Sequence, residues 1–145
     1  MVLPDDGSGK ARVALQFDLS SVLSGPGRYI DEALLEWTIA GVPSTTESSF
    51  EVRPVNSVWT AATVAGRLGL LDLGADPVSN WIIEPLDFER SQGLVRFDVT
   101  GLVRQWLEGE SANYGVVVET GDLTNSVLSN QAGSATLTLR YCFVR

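Results

Sequence analysis

The sequence predicts an all-β sandwich, and three features of its 145 residues support this. Several short segments alternate apolar and polar residues, as strands with one buried face do. Turns rich in glycine, proline and serine separate these segments. Only residues 100–109 have a convincing helical period. We therefore expect a single antiparallel domain over residues 1–145, with residues 1–10 forming an N-terminal arm or loop.

The most informative stretch, residues 94–109, begins as a strand. Val95, Phe97 and Val99 share one side of it, whereas Asp98 lies on the other side. The period then becomes helical, and the apolar residues on the predicted helical face are Leu102, Val103, Trp106 and Leu107.

Both ends of this predicted helix carry a boundary signal. Thr100 is a good N-cap, and Gly109 is a good C-terminal stop. We expect Trp106 to be buried and to cover core that the sheets leave open. A buried indole contributes on the order of several kcal/mol and makes a poor platform for an exposed ligand.

A weaker copy of this device comes 80 residues earlier. Arg12–Asp18 is predicted as a strand and Leu19–Leu23 as a single helical turn, with Ser20 as its cap. Asp18 and Asp98 occupy matching positions in Phe-Asp-Leu-Ser and Phe-Asp-Val-Thr. They could form a functional carboxylate pair. The favoured interpretation is that each stabilises the helical turn that follows it.

The other predicted strands are short. Their bounds are Ala33–Ala40, Phe50–Val55, Asn80–Ile83, Tyr114–Thr120, Ser126–Ser129 and Ala135–Val144. Leu68–Leu73 is either a short strand or an ordered loop. Pro54 marks an edge strand or the end of a strand. Residues 116–118 are three consecutive valines, which predicts burial on both faces of their strand.

Composition excludes several classes of function. Eighteen acidic residues against ten basic residues give a net charge of −8, so we expect no nucleic-acid partner. The absence of histidine, with Cys142 as the single cysteine, excludes zinc sites and Ser-His or Cys-His catalysis. No apolar run approaches 18 residues, so we expect no membrane insertion. The first residues lack signal-peptide features, which fits either a mature chain or a protein released without secretion.

Carboxylates are therefore the remaining candidates for chemistry. Loop aspartates could attract calcium, but their spacing matches no known calcium loop, and we expect no cofactor. They are Asp5, Asp6, Asp72, Asp76 and Asp122. A glycosidase would need two paired acids, and nothing singles out two among Glu84, Asp87, Glu89, Glu108 and Glu110. We expect no enzymatic activity.

Trp59 and Trp81 are the candidate ligand-binding aromatics, because sugar-binding proteins stack pyranose rings on exposed indoles. The alternative is that each anchors a loop or the core. Trp81 lies in an irregular segment, so it is the better candidate for a ligand or an interface.

Several motifs taken together resemble DNRLRE domains, which are grouped with carbohydrate-binding module family ninety-six and disaggregatase-related repeats. In chain order the motifs are Phe17–Ser20, Ala33–Leu35, Trp59-Thr60 with Thr63, the run from Phe97 to Gly109, Asn113–Gly115 and Leu137–Tyr141. The resemblance covers roughly residues 11 to 143. It implies a jelly-roll-like sandwich that is non-catalytic and extracellular and that sometimes binds a polysaccharide such as alginate. It also makes Phe17, Asp18, Phe97, Asp98, Thr100 and Trp106 framework residues.

Two departures from this family have consequences. Only about ten residues precede the first strand, where relatives have an extra hairpin, so we expect an unpaired sheet edge that a neighbouring subunit covers. The tryptophan that often follows the position of Thr63 is absent, which removes support for the usual loop there. Two functions stay open: a polysaccharide-binding module at a cell surface, or a structural subunit that decorates a virion or builds a surface filament.

Overall fold

Seven strands and one complete helix are present in our computed structural model, which describes residues 11–22, 28–38, 48–60, 62, 72–83, 94–120 and 135–143. In chain order they are β1 (Ala11–Leu15), β2 (Arg28–Thr38), β3 (Ser48–Pro54), β4 (Ser79–Ile83), β5 (Leu94–Asp98), α1 (Thr100–Glu108), β6 (Val116–Thr120) and β7 (Thr136–Phe143).

The strands form two antiparallel sheets. One has the order β1-β6-β3-β4 and the other has the order β5-β2-β7. This confirms the all-β class with a short helix. The first strand pairs with the sixth, so Leu15 lies opposite Val116. The chain that leaves β1 and the chain that enters β6, about 100 residues apart in sequence, therefore meet at this end of the sheet.

The main hydrophobic cluster contains side chains from both sheets and from α1. Phe50 of one sheet meets Phe97 of the other, edge to face, with ring centroids 6.4 Å apart. Leu102 and Val103 of the helix are buried in the same cluster, as the helical period predicts. Each buried aliphatic side chain of this size contributes roughly 1.5–3 kcal/mol.

Burial follows the predicted patterns in two strands. In β5, Val95 and Phe97 are buried, and Arg96 and Asp98 are exposed. All five residues of β6 are buried. The reason is a second, smaller cluster on its other face, where Val117 packs with Ala14, Val55 and the partly buried Trp59, Leu73 and Tyr114. The predicted burial on both faces is confirmed.

Several predicted bounds need correction, because pairing partners set strand length. The first strand ends at Leu15 instead of Asp18, since its partner β6 begins at Val116. The second begins at Arg28 instead of Ala33, because β7 pairs with it as far as Phe143 around a bulge between Ile30 and Glu32. The remaining strands agree with prediction to within about two residues.

The predicted helical turn after Asp18 is a simple turn over the described residues. The Val22 N–H donates to the Leu19 carbonyl at 3.0 Å, and no helix forms up to that residue. The Asp18 carboxylate accepts the Ser20 N–H at 2.9 Å, which is an Asx turn and does not by itself propagate a helix. Ser20 is therefore the donor to Asp18 and does not cap a helix with its own side chain.

The ends of α1 match the sequence at one end only. Gly109 has a φ of 76° and ends the helix, and the Glu110 N–H returns to the Gln105 carbonyl at 2.9 Å. At the other end Thr100 is the first helical residue, so the N-cap position belongs to Val99. The side chain of Val99 makes no capping hydrogen bond. The prediction of Thr100 as N-cap is wrong, because its hydroxyl binds β2.

Other predictions lie partly or wholly outside the described residues. The Ser126–Ser129 strand is outside them, and of Leu68–Leu73 they include only the end, where Leu73 forms an isolated bridge with Val55. Within the described ranges, no helix has both the length and the apolar character needed to cross a membrane.

Candidate functional site

An open groove of about 620 Å3 lies between the first Phe-Asp-Leu-Ser segment and α1. We call it the helix groove, and it is lined by Gln16, Phe17, Asp18, Leu19, Ser20, Trp106, Leu107 and Asn113. These residues meet because β1 and β6 are paired. Residues 16–20 leave that pair of strands at the same end at which residue 113 enters it.

Two amide side chains fix the polar part of the groove. Asn113 donates its Nδ2 to the Phe17 carbonyl at 2.9 Å and accepts the Gly115 N–H on Oδ1 at 3.1 Å. Gln16 donates its Nε2 to the Asn113 carbonyl at 3.1 Å. Gln16 Oε1 accepts no hydrogen bond from a described residue, so it is an acceptor that a ligand can use.

Gly115 makes this arrangement possible. Its φ of 85° turns the chain into β6 directly against the backbone of Leu15 and Gln16. A side chain at this position would meet the Leu15 carbonyl oxygen and Cα of Gln16. Only glycine allows both the backbone conformation and the close approach.

Asp18 supplies a carboxylate acceptor at the exposed side of the helix groove. Hydrogen bonds from the Ser20 hydroxyl and the Ser20 N–H lower the pKa of Asp18 below its ordinary value. The carboxylate is therefore ionised at neutral pH. Asp18 is the only acid among the described residues that line the groove, so these residues offer no pair of carboxylates for acid–base chemistry.

Asp98 plays the equivalent part in its own segment and does not line the helix groove. It accepts the Thr100 N–H at 3.0 Å and the Thr100 hydroxyl at 2.6 Å. These bonds, more than the nearby Arg104, lower the pKa of Asp98. Each of the two aspartates thus accepts the backbone N–H of the residue two positions later, but within the described residues a helix follows only Asp98.

Trp106 and Leu107 form the apolar side of the groove. Both are partly buried and pack against the main cluster. The expectation of a buried Trp106 needs correction, since part of its surface lines the helix groove. It also lines a small groove of about 190 Å3, together with Pro54, Val55, Asn56, Val78, Leu102, Gln105, Ser111, Ala112 and Tyr114.

Of the two candidate ligand-binding tryptophans, Trp59 does not line the helix groove. Trp59 is partly buried, donates its Nε1 to the Tyr114 carbonyl at 2.6 Å and packs in the second cluster, which favours the anchoring alternative. Trp81 lies opposite Phe50 in the backbone register of the β3–β4 ladder. Its side chain is outside the described part of the structure.

The loop acids do not form a metal site among the described residues. Asp72 and Asp76 are exposed, and no three His, Cys, Asp or Glu side chains cluster there in a way that could hold a metal ion. Glu108 and Glu110 are also exposed. The predictions for Asp5, Asp6, Glu84, Asp87, Glu89 and Asp122 lie outside the described residues.

A cluster of ion pairs lies on the outward side of the β1-β6-β3-β4 sheet, and its residues are not among those that line either groove. Arg53 donates to Glu119 at 2.8 Å and to Glu51 at 2.7 Å. These two hydrogen bonds raise the pKa of Arg53 above its ordinary value. Arg53 also donates to the carbonyls of Gly74 and Ala75, so it ties the β3–β4 connection to the sheet. Its role is structural.

No known protein-family model, curated protein or solved structure matches the chain.

Sequence reasoning missed Gln16 and Asn113 as site residues. Each stands just outside a strand, where an amide can reach across to the neighbouring strand end. Asn113 did belong to one of the motifs that resemble a known family. Gln16 carries no local signal, because its importance depends on which strand pairs with β1.

Proposed function

We propose that this protein is a non-catalytic binding module with a jelly-roll-like sandwich fold, similar to DNRLRE domains, and that it holds polysaccharide in the helix groove. The observation that carries the proposal is the make-up of that groove. Its lining combines the Trp106 indole and the apolar residues Phe17, Leu19 and Leu107 with amide, carboxylate and hydroxyl groups. The proposed location is a cell surface or the extracellular space.

This combination suits a sugar for a physical reason. A pyranose ring has apolar C–H patches and a rim of hydroxyl groups, so it binds best where both kinds of contact are available. Trp106 and Leu107 offer the apolar contacts, and Gln16 and Asp18 offer acceptors for hydroxyl protons. The groove is open, so a long chain could pass along it without its ends being enclosed.

The experiment is affinity gel electrophoresis followed by calorimetry on the full chain, with a panel of soluble polysaccharides. Gln16→Ala should weaken binding about 2–10-fold, the value of one hydrogen bond of about 0.5–1.5 kcal/mol. Gln105→Ala is the matched control, because Gln105 is also an exposed glutamine but lines only the small groove. The proposal fails if no polysaccharide of the panel binds when it is supplied at a millimolar concentration of binding sites.

A structural subunit of a virion or surface filament is the second candidate. It is favoured by β1, which stands at the edge of its sheet and pairs with β6 alone within the described strands. A neighbouring copy could extend the sheet there. Light scattering tests this: an oligomer that persists on dilution supports it, and a monomer at high concentration contradicts it.

A further inference from the structure

We infer that the helix groove selects uncharged polysaccharides and rejects polyuronates. This rests on the proposed function and names the ligand class of the same site. Among the eight described residues that line the groove, Asp18 is the only ionisable group, and none is lysine or arginine. A uronate carboxylate in the groove would meet a negative charge with no basic side chain beside it in the described lining.

The Asp18 carboxylate keeps its charge under the conditions in which glycans bind. Ser20 donates two hydrogen bonds to it, and both favour the ionised form. Protonation cannot relieve the repulsion at neutral pH, because the pKa of Asp18 is lowered from an ordinary value that is already near 3.8.

Three of the arginines that the structure describes are bound outside the helix groove. Arg96 binds Glu36 at 3.0 Å, and Arg140 binds Asp31 at 2.8 Å. Arg104 donates to the Ile30 and Asp31 carbonyls of β2. The whole chain carries a net charge of −8, so the long-range field also opposes an anionic polymer.

A neutral sugar avoids this repulsion and uses the same groups favourably. Its hydroxyls can donate to the Asp18 carboxylate and to Gln16 Oε1, and hydrogen bonds to an ionised acceptor are stronger than neutral ones. The carboxylate therefore adds affinity for one class of ligand and removes it for the other.

The test compares two neutral polymers, mixed-linkage β-glucan and galactomannan, with two polyuronates, alginate and polygalacturonate, by calorimetry at low and at moderate salt. The full chain should bind at least one neutral polymer at least about tenfold more tightly than either polyuronate. Added salt should change the affinity for neutral polymers little, and it should reduce the ratio of their affinity to that of the polyuronates, because it screens the charge of Asp18. Asp18→Asn keeps an acceptor for the Asx turn and removes the charge. Asp18→Asn should lower the affinity for neutral polymers and reduce the ratio of their affinity to that of the polyuronates. Gln105→Ala should change neither the affinity nor the ratio.

The outcomes separate the two proposals. Tighter binding of alginate than of the neutral polymers, weakened by Gln16→Ala, overturns the inference and leaves the proposed function intact. If neither Gln16→Ala nor Asp18→Asn changes the affinity for a neutral polymer, the polymer binds elsewhere. That result overturns both the inference and the proposed placement of polysaccharide in the helix groove. If Asp18→Asn prefers neutral polymers over polyuronates as strongly as the parent protein does, the charge of the Asp18 carboxylate is not the cause of the preference. Binding of none of the four defeats both proposals.

Discussion

The side-chain oxygen of Thr100 accepts a hydrogen bond from the backbone N–H of Ala33 at 2.9 Å, which joins the first residue of α1 to the middle of β2. The hydroxyl proton goes to Asp98 at 2.6 Å, so the oxygen is held in position to accept. The Val99 N–H donates to the Ala33 carbonyl at 3.0 Å. The strand-to-helix junction is thus fastened to the neighbouring strand through both backbone groups of one residue.

Removing the Thr100 hydroxyl should destabilise the protein. Ala33 is fully buried, so in Thr100→Val its N–H would lose its partner, at a cost of about 1–3 kcal/mol. Thr100→Ser keeps the hydroxyl and should lose much less. Urea denaturation measures both free energies of unfolding. Equal stability of the two variants would contradict the role given to this bond.

The two glycines with positive φ should respond differently to alanine. Gly109 has a φ of 76° and open space around it, so Gly109→Ala should cost roughly 1–2 kcal/mol for the backbone conformation alone. Gly115→Ala adds a clash with the Leu15 and Gln16 backbone and should cost clearly more. Thermal denaturation of the pair measures the difference. A smaller loss for Gly115→Ala would show that this backbone can move apart freely.

Arg53 and Arg140 each form an ion pair with an acidic residue, and the two ion pairs differ in burial. The side chains of Arg53 and Glu119 are 19% and 9% exposed, whereas those of Arg140 and Asp31 are 64% and 40% exposed. Arg53→Met removes the hydrogen bonds from Arg53 to Glu119 and Glu51 and should cost about 1.5–3 kcal/mol, the value of a hydrogen bond to a charged group. Arg140→Met should cost at most about 1 kcal/mol. Chemical denaturation of both variants tests this, and similar losses would argue against a burial effect.

Acid should remove part of the stability through Asp98. Its pKa in the folded protein is lowered, chiefly by the bonds from Thr100, relative to an ordinary value of 3.8. A lowered carboxylate pKa contributes stability that is fully present above the unfolded value, and that stability disappears as pH falls through the folded value. In Asp98→Asn the free energy of unfolding should therefore depend less on pH below about pH 4.

Asp76→Asn is the control for the acid prediction. Its carboxylate is exposed and makes no hydrogen bond to a described residue. Replacing it should leave the slope of unfolding free energy against pH as it is in the parent protein. If the two variants have the same slope, the bonds from Thr100 do not control acid stability.

Local patterns were sufficient for much of the secondary structure. Alternation in β5, the helical face of α1 and the stop at Gly109 depend on residues that are close in sequence. After Asp18 the described residues make a turn and no helix. Leu19 and Val22 of this first copy pack against the same main cluster as Leu102 and Val103 of the second copy, so contact with the core does not by itself turn the shared Phe-Asp motif into the start of a helix.

The sequence by itself determined the all-β class, the burial of β6 on both faces and the end of the helix, because periodicity and a glycine with positive φ act over a few residues. Only the tertiary structure decided the candidate site. Gln16, Trp106 and Asn113 come together because β1 pairs with β6, and the bond from Gln16 to Asn113 spans 97 residues. Which strands pair depends on the packing of the whole core, so no local pattern could reveal the groove.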